Sequence, residues 1–260
     1  MTPIALTIAG SDPSGGAGVQ ADLKTFHQFG IYGEAVITLI TVQNTRRVSQ
    51  VHVLSPDLVT AQVDAVLEDI PPHAAKTGAL GSADMVVAVA RVADRFEFPL
   101  VVDPVMISKH GLPLIADDAV RAIRELLLPR AALVTPNIPE AEALTGSPIR
   151  TPDDVRCAAQ SLHTMGAHAV LIKGGHLQGE AIDLLFDGAS FREFPAARIA
   201  TPHTHGTGCT YSAAITAGLA AGVPLYEAVA RAKRFIHEAI VTNPGLGGGS
   251  GPVNHHARLT

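Results

Sequence analysis

Short β-rich runs alternate with longer stretches of helical periodicity along almost the whole of this 260-residue chain. The β-rich runs are Ile4–Ala9, Ala35–Val42, Ala74–Thr77, Leu100–Asp103, Leu133–Thr135 and Ala169–Lys173. Helical spacing of apolar residues, with stops at Gly or Pro, covers roughly residues 17–29, 56–69, 83–95, 117–128, 138–144, 152–165, 209–221 and 225–241. In the second of these, Val59, Val63, Val66, Leu67 and Ile70 mark one buried face, Pro71-Pro72 stops the run, and Ser55 or Asp57 caps its start. Strand–helix alternation predicts an α/β fold of three layers, with a mostly parallel central sheet and helices on both faces. Ile182–Phe186 and Phe191–Phe194 flank Asp187-Gly188 and read as a hairpin, which gives the sheet an antiparallel margin. No repeat or long linker interrupts the pattern, so residues 1–260 read as one domain, with Gly245–Gly251 its one glycine-rich stretch.

Ligands of such sheets sit beyond the carboxyl ends of the strands. Two glycine-rich turns occupy such positions. The first, Gly10-Ser-Asp-Pro-Ser-Gly-Gly-Ala-Gly18, follows the first strand. Gly16-x-Gly18-x-x-Ala21 nearly fits a dinucleotide fingerprint, but the second strand ends in Gln43-Asn44 where the ribose would need an acid. Gly10 and Gly15 have the separation of a phosphate-binding Walker loop, but no Lys-Ser/Thr follows. Both readings fail, leaving close backbone approach to some other bound group, or a flexible turn.

The second turn, His205-Gly-Thr-Gly-Cys-Thr210, opens a helix. Its glycines let backbone N–H groups converge, and the helix start adds partial positive charge. That combination suits a transferring phosphoryl group, whose catalysis is mainly positioning and charge stabilisation. A thiol placed there is expected to have a lowered pKa, so Cys209 is either a base toward a substrate hydroxyl or a small packed residue. Cys157, among Ala158, Ala159 and Leu162, reads as packing.

Composition narrows the class. The chain is 47% hydrophobic and 17% charged, hence globular, and its net charge of −5 with scattered Lys and Arg argues against a nucleic-acid partner. Two cysteines without CxxC spacing fit a reducing, cytoplasmic setting. The amino terminus lacks the basic region of a signal peptide, and the weakly polar stretch 211–223 is too short to span a bilayer, so no membrane association is expected. His203-x-His205 and His255-His256 lack a third and fourth ligand at zinc spacing.

Eight ordered segments carry a resemblance: Ala5–Gly18, Gln20–Thr25, Val42–Thr45, Asp103–Met106, Thr135–Glu142, Ile172–His176, Thr204–Thr210 and Gly251–Asn254. Together they resemble the ribokinase superfamily, and within it the hydroxymethylpyrimidine/phosphomethylpyrimidine kinases of thiamin synthesis. The resemblance implies a ribokinase-like three-layer fold and ATP- and Mg²⁺-dependent phosphorylation of 4-amino-5-hydroxymethyl-2-methylpyrimidine, then of its monophosphate. It implies that Cys209 is the base, that Gly206, Thr207 and Gly208 hold the γ-phosphoryl group, and that Lys173 neutralises phosphate charge. Asn137-x-x-Glu140 resembles the motif near Mg²⁺ and its waters, with Glu140 and Asp103 as indirect or partial ligands; read as residues alone, they serve equally as helix cap and first-turn acid. Gln43 pairs with the aminopyrimidine in this reading, since an amide both donates and accepts, though a polar strand end facing solvent is the plain alternative. Gly10 and Asp22 line the same pocket, and Val42 and Val105 form apolar walls. The likeness extends to a homodimer. Ala79 stands where many relatives carry Met against the pyrimidine; Pro202-His203 and Ser250 replace a common Lys-Asn and His. A pyridoxal or pyridoxine kinase and a non-catalytic pyrimidine sensor are the rival readings.

Overall fold

The computed structural model describes residues 2–106, 116–176 and 180–259. The strands are β1 (Ile4–Ser11), β2 (Tyr32–Asn44), β3 (Arg47–Val53), β4 (Ala74–Thr77), β5 (Leu100–Val102), β6 (Leu133–Val134), β7 (Val170–Ile172), β8 (Asp183–Phe186) and β9 (Phe191–Phe194). They form one sheet in the order β3-β2-β1-β4-β5-β6-β7-β8-β9. The inner strands β2, β1, β4, β5, β6 and β7 are parallel. The β8–β9 hairpin forms the expected antiparallel margin. A second such margin, β3 against β2, was not expected. Its seven residues are mostly half-exposed or exposed, so they lack the apolar run by which the inner strands are recognised.

The helices are α1 (Gly18–Gln28), α2 (Pro56–Asp69), α3 (Ala83–Ala93), α4 (Asp117–Ala122), α5 (Ile138–Thr145), α6 (Pro152–Thr164), α7 (Thr207–Ala220) and α8 (Leu225–Val241). Ser55 caps α2, its hydroxyl accepting from the Leu58 N–H at 3.4 Å. The run expected over 117–128 is helical only to Ala122; a π turn over Ile123–Leu127 and a 3₁₀ turn over Leu128–Arg130 follow, where Pro129 has no N–H to continue the ladder.

The strands bury both faces, as a sheet between two helical layers must. Leu6 and Ile8 of β1 pack with Val59 and Val63 of α2 and Met85 and Val89 of α3. Ala5, one residue out of phase with them, packs with Phe26 of α1 and Ala213 and Ala217 of α7. Helix α7 is buried on all sides and built from small residues; a Cβ at Gly218 would lie 2.8 Å from that of Ala228, so α7 and α8 approach closely. From β1 the chain steps to β2 on one side and later to β4 on the other. That reversal opens a crevice at the carboxyl ends of β1 and β4, and the start of α7 points into it.

Candidate active site

The crevice is a cavity of about 810 Å³, a size that encloses small ligands. Gly10 is the last residue but one of β1 beside it, Gln43 the last but one of β2, and Ala79 follows β4. Asp103 and Val105 follow β5, Asn137 and Glu140 start α5, Lys173 follows β7, and Gly206 to Cys209 open α7. Residues spread over about 200 positions of sequence thus meet, because all but the α7 turn follow or end strands of one largely parallel sheet.

The phosphate-type turn is built by contact between the two glycine-rich segments. Gly206 has a left-handed φ of 77°, and a Cβ there would collide with the carbonyl oxygen of Gly16. No side chain caps α7; Gly206 occupies the cap position, and the first intrahelical bond runs from the Thr210 N–H to the Gly206 carbonyl at 2.9 Å. The N–H groups of Gly208 and Cys209 precede that bond and are available to an anion. Asp12 stiffens the first loop: it accepts from the N–H groups of Ser14, Gly16 and Ala17 at 2.8, 3.1 and 2.8 Å. It also meets His205 Nε2 at 2.8 Å, which ties the two turns together. The Asp12 carboxyl is held at about 2: its burial acts upward and is outweighed by the bonds from His205 and Ser14.

Lys173 Nζ donates to Asp103 Oδ1 at 3.0 Å and would lie 3.4 Å from a Cβ at Gly208, directly over the start of α7. Burial opposes its charge, but Asp103 and then Glu140 outweigh that and hold its pKa up. Both Asp103 oxygens are engaged, Oδ1 by Lys173 and, at 3.3 Å, Thr135, and Oδ2 by Ser212 at 3.1 Å. Asp103 therefore orients Lys173 rather than offering a free edge to a cation. Asn137 and Glu140 form a capping box: Asn137 Oδ1 accepts the Glu140 N–H at 2.9 Å and Glu140 Oε2 accepts the Asn137 N–H at 2.8 Å. Burial, partly offset by Lys173, pushes the Glu140 carboxyl up to about 7. Among the described residues no three acidic, His or Cys groups gather as a metal cage. One buried carboxylate short of compensating charge fits a Mg²⁺ ion that keeps its waters and phosphate ligands, and not one held by protein alone.

Further expectations change. Val42 is 53% exposed and forms no wall, because Gln43 lines the cavity and adjacent strand residues point to opposite faces. Leu39 and Thr41, in phase with Gln43, and Val48 of β3 take its place. Asp22 does not line the pocket either. It is fully buried, with Oδ1 bonded to Lys76 Nζ at 2.8 Å and Oδ2 to the Thr7 hydroxyl at 2.6 Å. Thirdly, the Cys209 thiol is not lowered. Burial pushes it up to about 12; Lys76 pulls against this, Asp22 and Asp103 add to it, and the Gly18 N–H donates to the sulfur. Cys157, expected to pack, is instead exposed on α6, where Val155, Ala158, Ala159 and Leu162 form the buried face and Cys157 lies off it.

Lys76 is the residue that sequence reasoning missed. Its signal was present: a lysine in Ala74–Thr77, a strand flanked by β1 and β5 and covered on both faces, has no route to solvent and needs a buried partner. Asp22, on the apolar face of α1 with Val19 and Phe26, carried the matching signal.

The phosphomethylpyrimidine kinase family model matches residues 12–254. A hydroxymethylpyrimidine/phosphomethylpyrimidine kinase of Bacillus subtilis is 49% identical over 256 residues, covering 97% of this chain and 94% of that one. A thiamine biosynthesis bifunctional protein of Geobacter sulfurreducens is 53% identical over 252 residues, covering 96% of this chain; the chain spans about half, 51%, of that longer relative. The crystal structure of an ADP complex of Bacillus subtilis pyridoxal kinase superposes with a TM-score of 0.92 at 40% identity, over 99% of this chain and 98% of that one.

Proposed function

The chain belongs to the phosphomethylpyrimidine kinase family, and from that premise we propose that it transfers the γ-phosphoryl group of ATP to 4-amino-5-hydroxymethyl-2-methylpyrimidine and then to the resulting monophosphate, in thiamin synthesis. One observation carries this assignment. An uncapped helix start under Lys173 and an amide-bearing apolar pocket at Gln43 occupy the two ends of one cavity. Phosphoryl donor and heterocyclic acceptor thus meet above Cys209.

In this reading Gly10, Leu39, Ala79 and Val105 enclose the pyrimidine ring, and Gln43 exchanges hydrogen bonds with its amino group and ring nitrogen. The Gly208 and Cys209 amides hold the γ-phosphoryl oxygens, and Lys173, aimed by Asp103, neutralises their charge; the Thr207 hydroxyl, which donates to the Thr204 carbonyl at 2.8 Å, would have to turn to join them. Glu140 would hold Mg²⁺ through the ion's waters, and when bound the ion would supply further positive charge to the phosphates. Cys209 accepts the proton of the attacking hydroxyl. With a thiol pKa near 12, little thiolate exists at neutral pH, but what forms is a strong base. The monophosphate needs no such help, because its phosphate oxygen is already ionised at pH 7.

Comparing kcat/KM for the pyrimidine alcohol and for pyridoxal, by ATP consumption, tests the assignment. The pyrimidine is expected to be preferred, and Gln43→Met to erode that preference. A preference for pyridoxal that Gln43→Met leaves unmoved overturns it.

A further inference from the structure

The glycine-rich stretch before the carboxyl terminus has no part in the chemistry above, yet it touches both ends of the site. Its first contact is with the β2–β3 turn, two residues beyond Gln43. The Ser250 N–H donates to the Thr45 carbonyl at 2.8 Å, and a Cβ at Gly249 would collide with that same carbonyl oxygen. Gly247, with a left-handed φ of 82°, leaves 2.5 Å between its absent Cβ and the Thr45 side chain; over Gly248 lies the Arg46 guanidinium. Its last contact is with the phosphate turn, where the His205 N–H donates to the Gly251 carbonyl at 3.0 Å and His205 bridges to Pro252.

The two contacts differ in what else supports them. His205 is held independently by Asp12 at 2.8 Å, inside the packed pair of glycine turns. The β2–β3 turn is the tip of the sheet's edge hairpin, β3 being the terminal strand, and it carries Gln43 just past a register shift. Asn44 Oδ1 organises the turn from within, accepting the Arg46 and Arg47 N–H groups at 2.9 and 3.2 Å. The glycine stretch is what presses on it from outside. Side-chain-free backbone at Gly249 is required for that contact, because a backbone carbonyl cannot rotate away as a side chain can, and Gly247 is held to glycine by its left-handed φ.

We propose that Gly247–Gly251 is a strap whose seat on Thr45 sets the position of Gln43, making Gly249 and Gly247 positioning residues for the acceptor end of the site. The proposal rests on Gln43 reading the acceptor ring. In a kinase so built, lifting the strap weakens acceptor binding while leaving the phosphate turn in place on Asp12.

The experiment compares Gly249→Ala and Gly248→Ala with the unaltered chain, measuring KM for the pyrimidine alcohol, KM for ATP, and thermal midpoint. Gly249→Ala is expected to raise KM for the alcohol tenfold or more and KM for ATP less than threefold. Gly248→Ala meets only the movable end of Arg46 and is expected to have under a third of that effect. Should Gly249→Ala not fold, Gly247→Ala is measured instead, with at least a threefold rise in the same KM expected. A KM for the alcohol within twofold of the unaltered value in the folded variant, or equal rises in both KM values, overturns the proposal, whatever the thermal midpoint does. Failure of the unaltered chain to phosphorylate the alcohol at all instead overturns the functional reading.

Discussion

Lys76→Met is the sharpest test of how the site is supported from beneath. The Lys76–Asp22 pair is completely enclosed, both side chains being 0% exposed and 2.8 Å apart. Burial opposes the Lys76 charge, but Asp22 outweighs that and keeps Lys76 an ammonium, and with it the pull of that ammonium on the Cys209 thiol. Removing the ammonium leaves the Asp22 carboxylate in the core with the Thr7 hydroxyl as its remaining partner. Breaking a buried pair from one side costs about 3–5 kcal/mol, against a total stability of about 5–15 kcal/mol. At roughly 2–4 °C per kcal/mol for a chain near this size, the thermal midpoint should fall by roughly 6–20 °C. Replacing both partners removes the orphaned charge. Lys76→Met with Asp22→Leu should recover most of that loss, short of the ~1–3 kcal/mol for leaving the Thr7 hydroxyl unpaired. Urea unfolding of both single variants and the double at pH 7 measures this as a coupling free energy. Strictly additive losses, or a Lys76→Met loss below about 1 kcal/mol, would refute the argument, since either means that water or another group reaches the site. In the double variant the thiol loses both the cation that pulls its pKa down and the anion that pushes it up, so alcohol phosphorylation should suffer less than in Lys76→Met alone.

Three further outcomes follow from the charges of the site. With the Cys209 pKa near 12, log kcat/KM for the alcohol should climb with pH from 6 to 9 at close to unit slope, and stopped-time assays across that range check it; for the monophosphate acceptor the climb should vanish above its own ionisation. Cys209→Ala should abolish phosphorylation of the alcohol while cutting that of the monophosphate much less, as read by product analysis with each acceptor. Glu34 and Glu140 are both pushed up from 4.5 to about 7, by burial, so the folded chain binds their protons more tightly than the unfolded chain does. Stability of the nucleotide-free protein should therefore fall as pH rises from about 4.5 to 7, and Glu34→Gln or Glu140→Gln should each flatten that fall in a series of thermal midpoints.

The parallel core of the fold was legible because its strands are short, apolar and punctuated by helices whose stops are Gly or Pro. Ala74–Thr77 is read and observed with the same ends, and so is the start of α2 at Pro56 once Ser55 is seen to cap it. Legibility failed where burial was one-sided or absent. Arg47–Val53 pairs along a sheet edge, so its sequence answers to hydrogen bonding and not to a core, and no apolar run announces it. The helix over 117–128 was read through its break because apolar spacing continues past Ala122 in Ile123, Leu127 and Leu128, which are buried whatever the turn type.

The site divides along a different line. Residues read from backbone geometry, Gly206 to Gly208 above all, open α7 as expected, because the left-handed φ at Gly206 and its close approach to the Gly16 carbonyl admit only glycine. Residues read from electrostatics divide: Lys173 lies over the turn as expected, but the Cys209 thiol is not lowered. A helix start lowers the pKa of a thiol only if the field of its amides exceeds the cost of burial, and at Cys209 burial wins. That balance is set by α1, β4 and β5, which bring Asp22, Lys76 and Asp103 to the thiol from three separate stretches of chain. The same separation hides Asp22's role: its partner is 54 residues away, and only the strand order β1-β4 places them in contact. Sequence motifs therefore locate the turn proposed for phosphoryl transfer, while the acidity of its thiol is a property of the sheet. It follows that variants at Lys76 and Asp22, outside the cavity, should move the pH dependence of the reaction more than most variants within it.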